Sequence, residues 1–494
     1  MCRLLTLPRG DTAARLTLLG IVIVLQDLLE LPKPSLHSTP WEQLLGVGIV
    51  LALGGSLALL MLALQAKVPK WRWLHSRRTQ TLVLICLLAA CPTGLLQVGK
   101  MATAAFTPPM YPNDGTTLDH YAAQQLLEGH NPYVTTDVVA AIRLYHQDPE
   151  HTTALGEGVF APLFPQSYPD AQTVRKVFAT LRAGDPSRVT EFESHLSYPA
   201  MAFLPLVPMV WAGLPTVTPF FVLCFLALIL LLIFSIPVEL RLWIVLLALA
   251  DAPLLDAAAG GVLDLFYILL LIVAWHWWKQ PVVSVLFLGL AIATKQIAWF
   301  YIPFYAILIW RERGWKECVV RLAGTGAIFL ALNSPFIVNN PAAWLSGILA
   351  PENPRMFPSG SGFIHLSTVG VLPLLPESTY SILQGLALVA AIVWYWRYGR
   401  SQPEEMGLAL AILPLFLAWR SLTTYFYFIA LPAVVLLISR QFRQRRALPV
   451  SAPVRLVVDT VAESPAEVTQ NLESLDNWSL PDTSLAAPPR ERGG

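Results

Sequence analysis

The chain alternates between long apolar runs and short polar segments, a pattern typical of membrane-spanning helices. A helix needs about 20 residues to cross the hydrocarbon core of a bilayer. Twelve runs are candidate spans, of which the first is weak and the eighth is short: 15–31, 43–66, 80–98, 217–236, 238–254, 262–278, 281–296, 298–310, 318–337, 379–396, 405–419 and 422–439. A thirteenth run, 199–213, contains Pro205 and Pro208, which predict a broken or re-entrant segment.

Composition agrees with this pattern. The 494 residues are 55% hydrophobic and only 13% charged, whereas soluble domains carry roughly 25% charged residues. We therefore predict an all-α polytopic membrane protein with about 12 transmembrane helices (11–13) and a large outer loop bearing membrane-surface helices. The net charge of +1 indicates no nucleic-acid partner. Membrane lipids are the expected surroundings.

The positions of lysine and arginine predict the orientation. Basic residues cluster at 67–78, 311–316, 397–400 and 440–446, and such loops favour the cytoplasmic side. This arrangement predicts that both termini are cytoplasmic and that two loops lie outside. The predicted organisation is N-terminal transmembrane helices (1–98), an outer catalytic loop (99–198, the polar loop), a transmembrane core (199–440) with a second outer loop near 338–378 (the second loop), and a disordered cytoplasmic tail (441–494).

Two carboxylates in the polar loop are candidates for a general base. Asp114 and Asp119 lie at the start of a predicted amphipathic helix, Leu118 to Glu128, which suits a membrane surface. A carboxylate near a lipid-borne substrate could take a proton from the hydroxyl group that attacks. The alternative is structural, because Asp114-Gly115 is a common turn and Asp114 or Thr117 could cap the helix.

Other polar residues lie near the ends of apolar runs. Ionisable side chains there are costly and indicate function by default. The candidates are Asp264, followed by Asp251 and Asp256; Lys295 with Gln296; and Arg420 with Tyr425. A lysine or arginine at such a place suits an anionic phosphate, but snorkelling to headgroups or an interfacial aromatic belt would explain the same pattern.

Nothing in the sequence requires a metal or a cofactor. Five of the nine histidines lie in the polar loop, so a metal site there stays open, but none has the tight spacing of a ligand set. Neither a dinucleotide fingerprint nor an ATP-binding loop occurs. We expect no cofactor and no metal.

Five motifs together resemble a known superfamily. The first, Asp119-His-Tyr121 through Gly129-His-Asn131-Pro-Tyr133, resembles the first outer-loop motif of GT-C glycosyltransferases, most of all the bacterial polyprenyl-phosphate-mannose-dependent mannosyltransferases and their uncharacterised relatives. Four further segments are similar to later motifs of that family: Ser197-Tyr198-Pro199 through Pro205, Gly260-Gly261-Val-Leu-Asp264, Ala293-Thr-Lys295-Gln296 with Pro303-Phe304, and Asn333-Ser-Pro335-Phe336. The resemblance covers roughly residues 80–440.

The resemblance implies roles for individual residues. The catalytic acid of the family's first outer loop maps to Asp119, with Asp114 as the alternate. Lys295 and Arg420 would contact the phosphate of the donor. The remaining residues expected to bind substrate are Tyr121, Asn131, Tyr133, Tyr198, Asp264, Gln296 and Tyr425.

The resemblance also implies an activity. The chain would transfer a hexose, with mannose as the sugar that this family implies, from a polyprenyl-phosphate sugar to a lipid, glycan or protein acceptor on the outer face of a bacterial plasma membrane, with inversion. Three rivals stay open. A transporter or flippase of lipid-linked sugars predicts internal symmetry, which the sequence does not show. A non-catalytic assembly protein predicts that Asp119 is replaceable. An oligosaccharide ligase or polymerase would work on the same side.

Overall fold

Helices form nearly all of the regular structure. The computed structural model describes residues 10–27, 29, 39–104, 106–109, 111–183 and 189–447. The α-helices in these ranges are α1 Gly10–Asp27, α2 Pro40–Ala63, α3 Arg77–Ala104, α4 Asp114–Leu127, α5 Pro132–Thr135, α6 Val138–Leu144, α7 Ala171–Thr180, α8 Val207–Trp211, α9 Thr218–Ser235, α10 Val238–Ala250, α11 Ala252–Gly260, α12 Asp264–His276, α13 Pro281–Ile292, α14 Ile302–Arg313, α15 Trp315–Asn339, α16 Pro341–Leu349, α17 Ile364–Thr368, α18 Glu377–Tyr398, α19 Met406–Ile412 and α20 Thr424–Ala447. Two short strands, β1 Ser359–Gly360 and β2 Arg420–Ser421, pair in parallel.

Six of the described helices are long and apolar enough to cross a membrane: α2, α3, α9, α15, α18 and α20. For α18 and α20, the stretches that meet this requirement are Glu377–Ser401 and Thr424–Arg445. A seventh span results if the bent pair α10 and α11 counts as one. The predicted class, an all-α polytopic membrane protein, is confirmed. The predicted number of about 12 spans stays a prediction, because several other predicted spans form helices of only 10–17 residues.

Prolines explain where the apolar runs break. The axes of α10 and α11 meet at 68°, and Asp251 caps α11 by accepting the N–H of Leu254 at 3.1 Å. Pro253 follows, and a proline disfavours a continuous helix through the residue before it. The run 199–213 divides into two 3₁₀ turns, Ala200–Ala202 and Leu204–Leu206, followed by α8, so this segment is broken as predicted.

Helix α3 packs closely against α10 because Gly94 has no side chain. A Cβ atom at Gly94 would lie 1.8 Å from the carbonyl oxygen of Leu249. Small residues allow such close backbone approach between membrane helices. The described residues up to Gln444 form one compact unit. The tail was expected from residue 441, but α20 continues to Ala447, and residues 448–494 lie outside the described ranges.

The polar loop folds into α4–α7 and short turns. Helix α4 begins at Asp114, four residues before the predicted start at Leu118. We expected its apolar face to lie on the membrane surface, but the protein itself covers most of α4, since Thr116 to His120 are buried along with Ala122 and Ala123.

The second loop is joined to the start of α20 by the pairing of Ser359 with Arg420 and of Gly360 with Ser421.

Candidate active site

A cavity of about 520 Å³ lies where the polar loop, the second loop and the ends of several apolar helices meet. Its lining is unusually rich in charge for a protein with so few charged residues. The acidic and basic side chains around it are Asp114, Glu150, Glu193, Asp256, Asp264, Lys295, Glu352, Glu377 and Arg420. A concave site with convergent charged groups is the default location for binding and catalysis.

Asp114 lines this cavity and is not the cap of its helix. Asn113 caps α4 by accepting the N–H of Thr116 at 2.8 Å, which leaves the carboxylate of Asp114 for another role. One of its oxygens, Oδ2, accepts the backbone N–H of Thr153 at 2.6 Å. Burial raises the pKa of Asp114, while the Thr153 hydrogen bonds and the charge of Arg420 oppose that rise and Glu193 adds to it.

The start of α4 is fixed by contacts on two sides. Thr116 donates its hydroxyl to the carbonyl of Gly261 at 2.9 Å. Nδ1 of His120 lies 3.0 Å from the hydroxyl of Tyr111, and its ring stacks on Tyr145 with centroids 4.1 Å apart. Burial lowers the pKa of His120 to about 4, so the ring is neutral and structural near neutral pH. These contacts hold the Asp114 backbone in place.

Asp119 is fully buried beneath the site and does not line the cavity. Neither carboxylate oxygen has a hydrogen-bond partner among the described residues. Burial raises the pKa of Asp119 well above its usual value, an effect that the charge of Lys295 opposes and that of Asp114 reinforces. Asp119 is therefore within electrostatic reach of the site, but a substrate in the cavity would meet Asp114 first.

Lys295 and Asp264 form a buried ion pair. Nζ of Lys295 lies 2.7 Å from Oδ2 of Asp264, and the side chains are 8% and 2% exposed. The rings of Tyr198 and Tyr425 flank the ammonium group, with centroids 5.1 Å and 5.8 Å from Nζ. The charge of Lys295 is thus largely neutralised before any ligand enters.

Arg420 is the cation of the cavity that lacks an acidic partner. It makes no ion pair within the described ranges, where its Nη1 lies 2.7 Å from Sδ of Met356 and its buried Nε has no hydrogen-bond partner. Strand β2 positions it, because Arg420 pairs with Ser359 of the second loop. A guanidinium with free donors at the wall of a cavity is well suited to a phosphate.

Several residues that were predicted to bind substrate make hydrogen bonds within the protein, mostly to backbone carbonyl groups. Tyr133 donates its hydroxyl to the carbonyl of Tyr198 at 2.8 Å. The amide of Gln296 donates to the carbonyls of Ser197 at 2.6 Å and Ile348 at 3.0 Å. Asn131 caps α5 and donates to the side-chain oxygen of Asn339 at 2.8 Å. Tyr133 and Gln296 together fix the segment that carries the Tyr198 ring.

The structure brings most of the predicted residues to one cavity. Those that line it are Asp114, Tyr198, Asp264, Lys295, Gln296, Arg420 and Tyr425, and those that do not are Asp119, Tyr121, Asn131 and Tyr133. The sequence prediction did not include Tyr168, Glu193, Glu352 and Glu377, which also line it. Tyr168 and Glu193 lie in loops and Glu352 ends a short 3₁₀ turn, so no periodic pattern marked them. Glu377, at the start of α18, could have been noticed.

Metal binding was expected to be absent. Across the residues that the structure describes, no group of three or more His, Cys, Asp or Glu side chains is arranged to hold a metal ion. The expectation therefore stays a prediction.

Residues 196–419, just under half of the chain, match the model of glycosyltransferase family 87. This segment belongs to a GT-C-type membrane glycosyltransferase family, and the match supports glycosyltransferase activity for the chain. No curated protein and no solved structure matches the glycosyltransferase significantly.

The family match confirms the superfamily that the motifs indicated and the assignment as an enzyme. It includes Tyr198, Asp264, Lys295 and Gln296. It begins after Asp114 and ends just before Arg420, so the roles of these two residues in the glycosyltransferase depend on geometry alone.

Proposed function

We propose that this glycosyltransferase moves a hexose, with mannose as the first candidate, from a polyprenyl-phosphate sugar to a hydroxyl group of an outer-face acceptor. The observation that supports this proposal most is that one cavity contains both a carboxylate and a guanidinium group. Asp114 provides a carboxylate with a raised pKa, and Arg420 provides a guanidinium that makes no ion pair with any described acid. The first group suits an acceptor hydroxyl and the second suits a leaving phosphate.

The chemistry is a single displacement. Asp114 takes the proton of the acceptor hydroxyl as the oxygen attacks the anomeric carbon of the donor. The bond from that carbon to the phosphate oxygen breaks, and its electron pair leaves with the polyprenyl phosphate. Arg420 stabilises the additional negative charge on the phosphate. One displacement inverts the anomeric carbon, and Asp114 then releases its proton to water.

This proposal favours Asp114 as the base over Asp119, which the motif placed first. A general base must come within about 2.6–3.2 Å of the proton that it removes. Asp114 lines the cavity, whereas Asp119 is fully buried and absent from its lining. In this proposal Asp119 is a buried group within electrostatic reach of Lys295 and Asp114, and it does not touch the acceptor.

The distribution of charge supports an outward-facing site in a bacterial plasma membrane with both termini inside. Helices α18 and α20 begin at the cavity, with Glu377 and Thr424 in its lining. Basic residues follow at their other ends, in 397–400 and 440–446. Because basic ends favour the cytoplasm, the cavity would open on the opposite side, where polyprenyl-linked sugars and lipid, glycan or protein acceptors would meet it.

The test uses purified protein in lipid vesicles with polyprenyl-phosphate mannose and polyprenyl-phosphate glucose, each labelled in the sugar. We expect labelled product from at least one donor, and NMR of the product should show the anomeric configuration opposite to that of the donor. Retention of configuration would exclude the single displacement. Failure to transfer from either donor, with movement of the intact donor across the bilayer, would replace this proposal with the flippase.

A further inference from the structure

Tyr168 is an aromatic side chain that the fold presents to the cavity. It lines the cavity and keeps 50% of its surface exposed. The ring is nevertheless held firmly. Its hydroxyl donates to the carbonyl of Thr152 at 3.3 Å and accepts the N–H of Ala154 at 3.2 Å, and the ring meets Phe357 edge to face with centroids 5.3 Å apart. The ring is therefore exposed to the cavity and held in one orientation.

The same short segment holds the proposed base. Thr152 and Ala154 hold the hydroxyl of Tyr168, and Thr153, between them, donates its N–H to Asp114. Three consecutive residues thereby fix the ring and the carboxylate relative to each other. Tyr168 is also within electrostatic range of Asp114 and Arg420. A group that lies against the Tyr168 ring is therefore next to the reacting centre.

We infer that Tyr168 is a binding platform for the acceptor and that the acceptor is a glycan, with a sugar ring packed on the tyrosine face and one of its hydroxyl groups directed at Asp114. This inference rests on the proposed function. A pyranose ring has an apolar C–H face that packs on an aromatic ring and a rim of hydroxyl groups, so one contact both binds and orients it. A flexible lipid or peptide hydroxyl would gain little from a rigid ring.

The charges nearby define the acceptor further. Glu352 and Glu377 line the cavity, and neither makes an ion pair in the part of the chain that the structure describes. Glu193, within electrostatic range of Asp114, is buried and bonded to His195. Acidic groups in the lining of the same cavity disfavour an anionic acceptor. The sugar that packs on Tyr168 is accordingly an uncharged hexose, in preference to a uronic acid or a sugar phosphate.

The test compares Tyr168→Phe with Tyr168→Leu in the vesicle assay. Both variants lose the hydroxyl and its two hydrogen bonds, so the difference between them isolates the aromatic ring. Acceptors are an alkyl mannoside, an alkyl glucuronide and a serine peptide. Cleavage of the donor by water, measured without acceptor, reports on the donor side of the cavity.

We expect the KM for the mannoside to rise about fivefold to tenfold more in Tyr168→Leu than in Tyr168→Phe, with equal donor cleavage by water in both. The natural protein should use the glucuronide and the peptide much less well than the mannoside. Equal KM values in the two variants, or the peptide as the best acceptor, would overturn the inference while leaving the proposed transferase intact. Absence of transfer to every acceptor by the natural protein would instead contradict the proposed function itself.

Discussion

Nζ of Lys295 lies 2.7 Å from Oδ2 of Asp264, in a part of the protein where both side chains are almost inaccessible to water. From the sequence, these two residues looked like separate contacts for the substrate. In the structure they form an ion pair with each other. Arg420 is then the cation at the cavity wall with hydrogen-bond donors available to a ligand.

The ion pair predicts a large effect on stability when only one partner is removed. Lys295→Met leaves the Asp264 carboxylate buried without a counter-charge, which should destabilise the protein by about 3–5 kcal/mol. The double variant Lys295→Met with Asp264→Asn removes both charges and should recover most of that loss. Thermal unfolding in detergent, followed by tryptophan fluorescence, measures both. A double variant no more stable than the single one would contradict a mutual structural role.

Arg420 should control donor binding and turnover. Arg420→Gln removes charge-assisted hydrogen bonds to the leaving phosphate, worth about 1.5–3 kcal/mol, and should lower kcat/KM for the donor by roughly 10-fold to 150-fold. Arg355→Gln is a matched control, because Arg355 is exposed in the second loop and its weak ion pair with Glu157 spans 3.9 Å. Similar losses in both variants would show that the effect is not specific to Arg420.

The neighbours of Asp114 predict the direction of pH shifts. The base is active when deprotonated, so activity falls as pH drops through its pKa. Arg420 lowers that pKa and Glu193 raises it. Arg420→Gln should therefore move the acidic limb of the pH profile of kcat/KM upward, and Glu193→Gln should move it downward, each by about half a unit to one unit. Shifts in the same direction in both variants would exclude Asp114 as the titrating group.

The pairing of β1 with β2 predicts that Gly360 cannot be replaced. Its φ is +119°, and a Cβ atom there would lie 1.9 Å from the carbonyl oxygen of Ser421. Gly360→Ala should force the strands apart, displace Arg420 and destabilise the protein by about 1–3 kcal/mol. Gly385→Ala, in α18 with open space around it, should be neutral or mildly stabilising. Equal stability and donor KM in the two variants would contradict this account of Arg420 positioning.

The sequence predicted the membrane class and many of the charged residues because burying charge in lipid is costly, so the few exceptions stand out. It placed Asp119 ahead of Asp114 by motif, although the two lie only five positions apart on one helix, and the geometry favours the opposite order. That ranking depends on Asn113 taking the cap and on Thr153, 39 residues away, reaching Asp114. Tyr168 was missed for the same reason: its partners Thr152, Ala154 and Phe357 are distant in the chain and no local pattern marks them.

The central claim is that Asp114 is the general base. Transfer of labelled hexose should be measured for the natural protein, Asp114→Asn and Asp119→Asn, at equal amounts of folded protein in vesicles. Removing a general base typically costs 10²–10⁴-fold in rate. We expect a loss of that size in Asp114→Asn, with substantial activity kept by Asp119→Asn. Robust transfer by Asp114→Asn, together with loss of transfer by a folded Asp119→Asn, would contradict the account and return the catalytic role to Asp119.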